Sequence, residues 1–238
     1  MRGIILAAGR GRRMKHLTDK NPKCLLKLKG VSLLERLINN FLISEVEDIA
    51  IITGYRQEMI LPYIKKSFHN PDWEITNMVC SLLTADEWLK SNSCIVTYSD
   101  IFYSKNAIQS LMNTNAKLAI TYDPNWYDLW KRRFDNPLTD AESFRIDVDD
   151  FITEIGNKSK DISSIQGQFM GLIKFTPESW TICKSLIEDL SADEKSKLDV
   201  TKLIGELIVN KKLKGKGIPY SGEWGEVDSI KDLDIYNK

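Results

Sequence analysis

The stretch Gly3–Leu28, GIILAAGRGRRMKHLTDKNPKCLLKL, constrains this chain more than any other. Ile4-Ile5-Leu6-Ala7-Ala8 is a continuous apolar run, and Gly9-Arg10-Gly11-Arg12-Arg13-Met14 follows it at once. Such a run, closed by glycine, reads as a parallel strand buried on both faces. The loop after it then lies at the carboxyl edge of an α/β sheet, where these sheets take their ligands. Gly9 and Gly11 have no Cβ, so their backbone amides can approach phosphate oxygens. Arg10, Arg12, Arg13 and Lys15 add positive charge, and a guanidinium grips phosphate through two donors. Lys23 supplies a further compact cation. The stretch therefore reads as a polyphosphate cradle. A lone Gly-x-Gly with solvated arginines would leave the matter open, and the spacing matches neither a Walker loop nor a dinucleotide fingerprint.

The basic loop stands out because the rest of the chain is balanced. Lys+Arg and Asp+Glu both number 33 in 238 residues, for a net charge of zero. That balance gives no bulk attraction to nucleic acid or to an anionic membrane. No apolar run is long enough to span a bilayer. The first strand starts almost at once, leaving no room for a signal peptide, so a cytoplasmic location is expected. Four scattered cysteines and two histidines argue for reduced, buried thiols and against a zinc site. The length and the 42% hydrophobic content suit one sizeable α/β domain.

Periodicity then sets the order of elements. Ser32–Asn40 reads as a helix with Ser32 and Glu35 in capping-box positions. Asp48–Thr53 reads as a second buried strand ended by Gly54. Gln57–Phe68 is expected to be a helix disturbed by Pro62, and Trp73–Thr76 a short strand. Asn77–Leu89 is expected to be helical, with Asn77 either its cap or a cleft contact and Ser81 on the same face. Ser93–Phe102 is a strand with Asp100 at its carboxyl end, where a carboxylate suits Mg²⁺ beside phosphates as well as it suits a turn. Lys117–Tyr122 is another strand. Asp123–Asp140 reads as a functional loop over the cleft, its tryptophans either forming a satellite core or facing a small cation. Ser143–Ile155 reads as a hairpin around Asp149-Asp150, and Gln166–Pro177 as a strand. Helices are expected over Pro177–Leu190 and Asp199–Asn210, and a late strand at Ile218. The β-α-β-α order implies a parallel sheet with right-handed crossovers.

Leu6-Ala7-Ala8-Gly9-x-Gly11-x-Arg13-Met14 with Pro22-Lys23-x-Leu25 resembles the signature of the nucleotidyltransferases that activate sugar phosphates and phosphocholine. Gly54-Tyr55, Tyr98-Ser99-Asp100, Glu154–Lys158 and Trp224-x-Glu226-Val227-Asp228-Ser229 follow in the order typical of that family. The resemblance implies an α/β fold, a Rossmann-like three-layer sandwich with a mixed, mainly parallel central sheet. It implies a single domain over residues 1–238 with an acceptor-site insertion around 123–171. By the same resemblance, the loop Leu6–Arg12 with Asn77 and Ser81 binds the nucleotide and Arg13 and Lys23 are catalytic. Asp100 and Asp228 hold Mg²⁺, and Lys158 meets the acceptor phosphate.

Asn77-Met78-x-x-Ser81-Leu82 looks most like the small-acceptor branch, which includes phosphocholine, aminoethylphosphonate and phosphoglutamine cytidylyltransferases. The proline-rich loop and longer lid usual in the sugar-phosphate branch are missing. The implied reaction is Mg-dependent transfer of a cytidylyl group from CTP to a small phosphorylated acceptor, serving capsule or surface-polysaccharide modification. Trp126, Trp130, Arg132, Arg133, Lys158 and Gln168 are the expected acceptor contacts, a mixture suited to a zwitterion. A sugar-1-phosphate nucleotidyltransferase and a non-catalytic nucleotide-binding regulator are the competing classes. The oligomeric state is open, a homodimer being one option.

Overall fold

The computed structural model describes residues 1–46 and 48–237. The first apolar run forms β1 (Arg2–Ala7), an interior strand of a seven-stranded sheet. The other strands are β2 (Ile49–Thr53), β3 (Lys66–His69), β4 (Cys94–Tyr98), β5 (Leu118–Asp123), β6 (Gln168–Phe175) and β7 (Gly215–Pro219). Their spatial order is β7-β5-β6-β4-β1-β2-β3. β1 pairs in parallel with β2 and β4, β2 with β3, and β5 with β7. β6 runs antiparallel between β4 and β5. The sheet is therefore mixed and mainly parallel, as expected.

The alternation of side chains along each strand makes two cores. Ile4, Leu6, Ala50, Ile52, Val96 and Ile120 face one side, under the helices Met78–Leu83, Pro177–Glu188 and Val200–Val209. Ile5, Ala7, Ile51, Ile95, Ala119 and Leu172 face the other, under Leu33–Leu42, Lys105–Asn113 and Trp126–Arg133. Helices on both faces of one sheet give the three-layer sandwich. Among the described residues no helix is long and apolar enough to cross a membrane.

Four local expectations are corrected. Gln57–Phe68 is not one helix. A single turn, Gln57–Ile60, passes into a 3-10 turn over Leu61–Tyr63 and then into β3. Pro62 lacks the amide needed to continue a helix, and β2 offers Ser67 and Phe68 a free parallel edge. Trp73–Thr76 is a turn, held where the Asn70 amide donates to Thr76 Oγ1 (3.1 Å) and Thr76 Oγ1 donates to the Asp72 carbonyl (2.8 Å). The helix after Asn77 breaks into Met78–Leu83 and Asp86–Leu89. The expected loop 123–140 contains the helix Trp126–Arg133, whose Trp126, Leu129, Trp130 and Arg133 recur at helical spacing and are all buried. The far end of the 123–171 region runs into β6, an interior strand of the sheet.

The helix Leu33–Leu42 forms as its sequence indicates. Ser32 Oγ accepts from the Glu35 amide (3.1 Å) and Glu35 Oε2 accepts from the Ser32 amide (3.1 Å). Leu33, Leu34, Leu37 and Phe41 are buried beneath it. Ser32→Ala should therefore lower unfolding stability by about 1 kcal/mol in urea titration, with no change in nucleotide affinity, since the cap lies outside the cleft.

Candidate active site

Leu6 of β1 and Tyr98 of β4 are register partners, so the loop Gly9–Met14 and the turn Ser99-Asp100 leave one sheet edge side by side. The end of the chain joins them there. Trp224–Glu226 pairs antiparallel with Ile101–Tyr103, and the Val227 amide donates to the Asp100 carbonyl (2.8 Å). Glu226 and Asp228 are two apart in extended backbone, so both carboxylates face Asp100. One oxygen from each of Asp100, Glu226 and Asp228 lies within 4.8 Å of the others.

Three cations hold this acidic cluster. Lys23 Nζ contacts Asp100 Oδ2 at 2.7 Å and Asp228 Oδ1 at 2.5 Å. Arg13 Nη1 contacts Asp228 Oδ2 at 2.6 Å. Burial by itself lowers the Lys23 pKa, but Asp100, Asp228 and Glu226 outweigh it and hold the ammonium above its ordinary range. Arg133, with a fully buried side chain, places Nη1 3.0 Å from Glu226 Oε2 and Nε 2.9 Å from Asp232 Oδ1. Asp232 Oδ2 in turn accepts from the amides of Asp228 (3.1 Å) and Ser229 (2.8 Å). Arg133 thus ties the helix Trp126–Arg133 to the segment that carries Glu226 and Asp228. Burial, with Asp228 and Asp100 close by, still pushes the Glu226 carboxyl up to about 7.

The donor set fits a divalent cation. Carboxylate oxygens are the ligands a hard cation takes. Asp100 Oδ1 is buried and has no hydrogen-bond partner among the described residues. A bound cation would satisfy that oxygen and relieve the mutual repulsion of the three carboxylates.

Two connected cavities flank the cluster, sharing Arg13, Asn77, Met78, Tyr98 and Asp228 as a common wall. The first, about 370 Å³, is lined by Leu6, Ala8, Gly9, Gly11, Arg12, Lys23, Ser81 and Asp100 among others. Most of the expected nucleotide-binding residues therefore meet in one place. Ala7 does not join them, because its side chain points into the core on the opposite face. Arg10 turns away to Asp19 (2.5 Å), and Arg12 pairs with Glu74 (2.9 Å). Asn77 caps its helix by accepting from the Met78 amide (2.8 Å) while lining both cavities. Gly54 sets the height of the loop, since a Cβ there would lie 2.6 Å from the Ala8 carbonyl.

The second cavity, about 360 Å³, is lined by Trp130, Lys158 and Gln168 of the expected acceptor contacts. Trp126, Arg132 and Arg133 do not line it. Trp126 is buried in the core with Nε1 donating to the Ile165 carbonyl (3.3 Å). Arg132 opens onto a separate surface depression, and Arg133 is consumed by Glu226 and Asp232. An amphipathic helix, unlike the expected loop, must bury one side, and these residues follow its geometry. Glu226 and Tyr98 stand in the motifs quoted above without a role of their own, and the structure puts both in the site beside Glu142. The alternation Glu226-x-Asp228 was the available signal for the first.

A glycine-basic loop on the carboxyl edge of a mixed α/β sandwich, facing clustered carboxylates across a two-lobed cleft, defines a nucleotidyltransferase. The chain belongs to the MobA-like NTP transferase domain family, whose model matches residues 3–137. It is 30% identical over 251 aligned residues to the CTP:phosphoglutamine cytidylyltransferase of Campylobacter jejuni subsp. jejuni, covering 99% of this chain and 98% of that one. It is 28% identical over 238 residues to the bifunctional protein GlmU of Methanococcus aeolicus, covering 98% of this chain but only 53% of that relative. Its fold matches the inositol-1-phosphate CTP transferase of T. maritima with a TM-score of 0.80 at 17% identity, covering 99% of this chain and 93% of that one.

Gly9 and Gly11 should separate binding from folding. A Cβ on Gly9 meets nothing within 4 Å, whereas one on Gly11, at φ +71°, would sit 2.6 Å from Lys23 Cδ. Gly9→Val should leave the thermal midpoint within about 2 °C yet cut nucleotide affinity at least about tenfold in calorimetry. Gly11→Ala should lower both, because the strained turn and the Lys23 stem share one space.

Glu226 should make stability fall with rising pH when divalent cations are chelated. Its folded pKa lies above the unfolded value, so the native state binds more protons between about pH 4.5 and 7 and loses relative stability across that window. Glu226→Gln should flatten this slope and melt about 5 °C above the wild type at pH 8. Parallel melting curves for the two proteins from pH 5 to 8 would show that Glu226 carries no such shift.

Proposed function

We propose that the chain transfers a cytidylyl group from CTP to a small phosphorylated acceptor, with Mg²⁺ as its metal. The observation that supports this most is the Lys23–Asp100–Asp228 cluster at the common wall of the two cavities. Reacting phosphates from both substrates would meet at that wall. The relative that matches almost the full length of the chain is named for CTP and for a small phosphorylated acceptor, which favours both choices.

In the proposed reaction an acceptor phosphate oxygen attacks the α-phosphorus of CTP in line. The new P–O bond forms as the bond from the α-phosphorus to its bridging oxygen breaks, and pyrophosphate carries away that electron pair. The attacking oxygen is already ionised at neutral pH, so no strong general base is required. Catalysis then rests on position and charge. Arg13 offsets the repulsion between two anionic substrates from the shared wall. Lys23 supplies an ammonium to the phosphates, and Gly9 and Gly11 let the backbone close on the triphosphate. A divalent cation on Asp100, Glu226 and Asp228, when bound, neutralises phosphate oxygens and stabilises charge at the reacting phosphorus.

The test is pyrophosphate release with CTP against a panel of phosphocholine, aminoethylphosphonate, phosphoglutamine and sugar 1-phosphates. Asp100→Asn and Asp228→Asn should each lower turnover on the order of a hundredfold or more with the fold retained. Near-wild-type turnover of either variant at saturating Mg²⁺ would remove that residue from the mechanism. Preference for a sugar 1-phosphate would overturn the small-acceptor reading.

A further inference from the structure

We infer that Glu142 is the anchor for an ammonium group on the acceptor, so that the second cavity selects phosphorylated primary amines. This rests on the transfer reading above and names the substrate class for the same cleft.

Charge in the second cavity is unbalanced. Glu226 and Asp228 are matched by Arg133, Lys23 and Arg13. Asp140 accepts from the Trp130 indole (3.0 Å), and Asp199 caps the helix Val200–Val209 by accepting from the Lys202 amide (2.8 Å). Glu142 lines the same space and has no cation within 4 Å among the described residues. Burial, then Asp199 and Asp140, raise its carboxyl above the ordinary range, while Thr201 and Lys158 only partly offset them. Lys158 is the register partner of Glu142 across the hairpin, yet it is exposed and forms no contact ion pair with it.

The Glu142 backbone is fixed by a side chain expected from sequence to touch the acceptor. Gln168, almost fully buried, accepts from the Glu142 amide (3.1 Å) and donates to the Glu142 carbonyl (2.5 Å). Gln168 is therefore a positioning residue. Glu142 also lies in strand Glu142–Ile146, which pairs with Ile152–Lys158. A carboxylate carried on a fixed backbone, with no ion-pair partner among the described residues, is a site suited to positive charge.

The direction of the acceptor follows from the reaction. Its phosphate has to reach the α-phosphate of the nucleotide, hence the shared wall with Arg13. Its other end then extends into the second cavity, toward Glu142 and the rings of Tyr98, Phe144 and Phe169. Aromatic faces beside a carboxylate suit an ammonium. A neutral sugar ring would leave the Glu142 charge uncompensated.

The test compares O-phosphoethanolamine with ethyl phosphate, which keeps the phosphoethyl part and lacks the ammonium. Wild-type protein should favour the amine at least about thirtyfold in kcat/KM, mainly through KM. Glu142→Gln, nearly isosteric, should reduce that preference to about threefold or less, and its CTP affinity in calorimetry reports an intact nucleotide lobe. Equal use of the two acceptors, or an unchanged preference in Glu142→Gln, overturns the anchor while transfer from CTP stands. Absence of transfer to both acceptors and to every member of the panel above overturns the transfer reading itself. Calorimetry then decides the anchor separately: phosphoethanolamine binding no tighter than ethyl phosphate in the presence of CTP refutes it, and tighter binding lost in Glu142→Gln supports it.

Discussion

The contact on which the rest of the site depends is the buried ammonium of Lys23 between Asp100 and Asp228. It joins the first loop, the carboxyl end of β4 and the C-terminal segment in one cluster. Two carboxylates this close would repel each other strongly in a low-dielectric cleft, and desolvation alone would disfavour both charges. Lys23 offsets that repulsion in the ligand-free protein. Its stem packs beneath Gly11, so the phosphate loop and the lysine are shaped by the same space. A divalent cation and a triphosphate would enter a site already arranged for alternating charge, which is the arrangement nucleotidyl transfer needs.

A second layer keeps that cluster in place. Arg133 divides its guanidinium between Glu226 and Asp232, and Asp232 holds the backbone amides of Asp228 and Ser229. The guanidinium also lies over the Trp130 and Phe134 rings. Arg133 was expected to greet an acceptor and instead supports the acidic cluster from behind. Gln168 behaves alike, since its amide group is spent on the Glu142 backbone. Both fit a general pattern in which the groups that orient functional side chains are themselves buried.

The sequence by itself determined the elements whose signals are local. The Ile4–Ala8 run with its glycine turn defined β1 and the phosphate loop, because burial on both faces and freedom from a Cβ are properties of adjacent residues. Ser32 with Glu35 announced a capped helix for the same reason, and the alternation around Asp149-Asp150 announced the hairpin. Asp100 was legible because it ends an apolar strand. Only the tertiary structure decided which charge meets which. Arg10, Arg12, Arg13 and Arg133 look interchangeable along the chain, yet their partners are Asp19, Glu74, Asp228 and the Glu226–Asp232 pair. Trp126 turned inward because its helix had to bury one side, and Lys66–His69 became a strand because β2 left an edge to fill. Ion pairing and edge pairing depend on approach in space between residues far apart in the chain, and no local pattern encodes that distance.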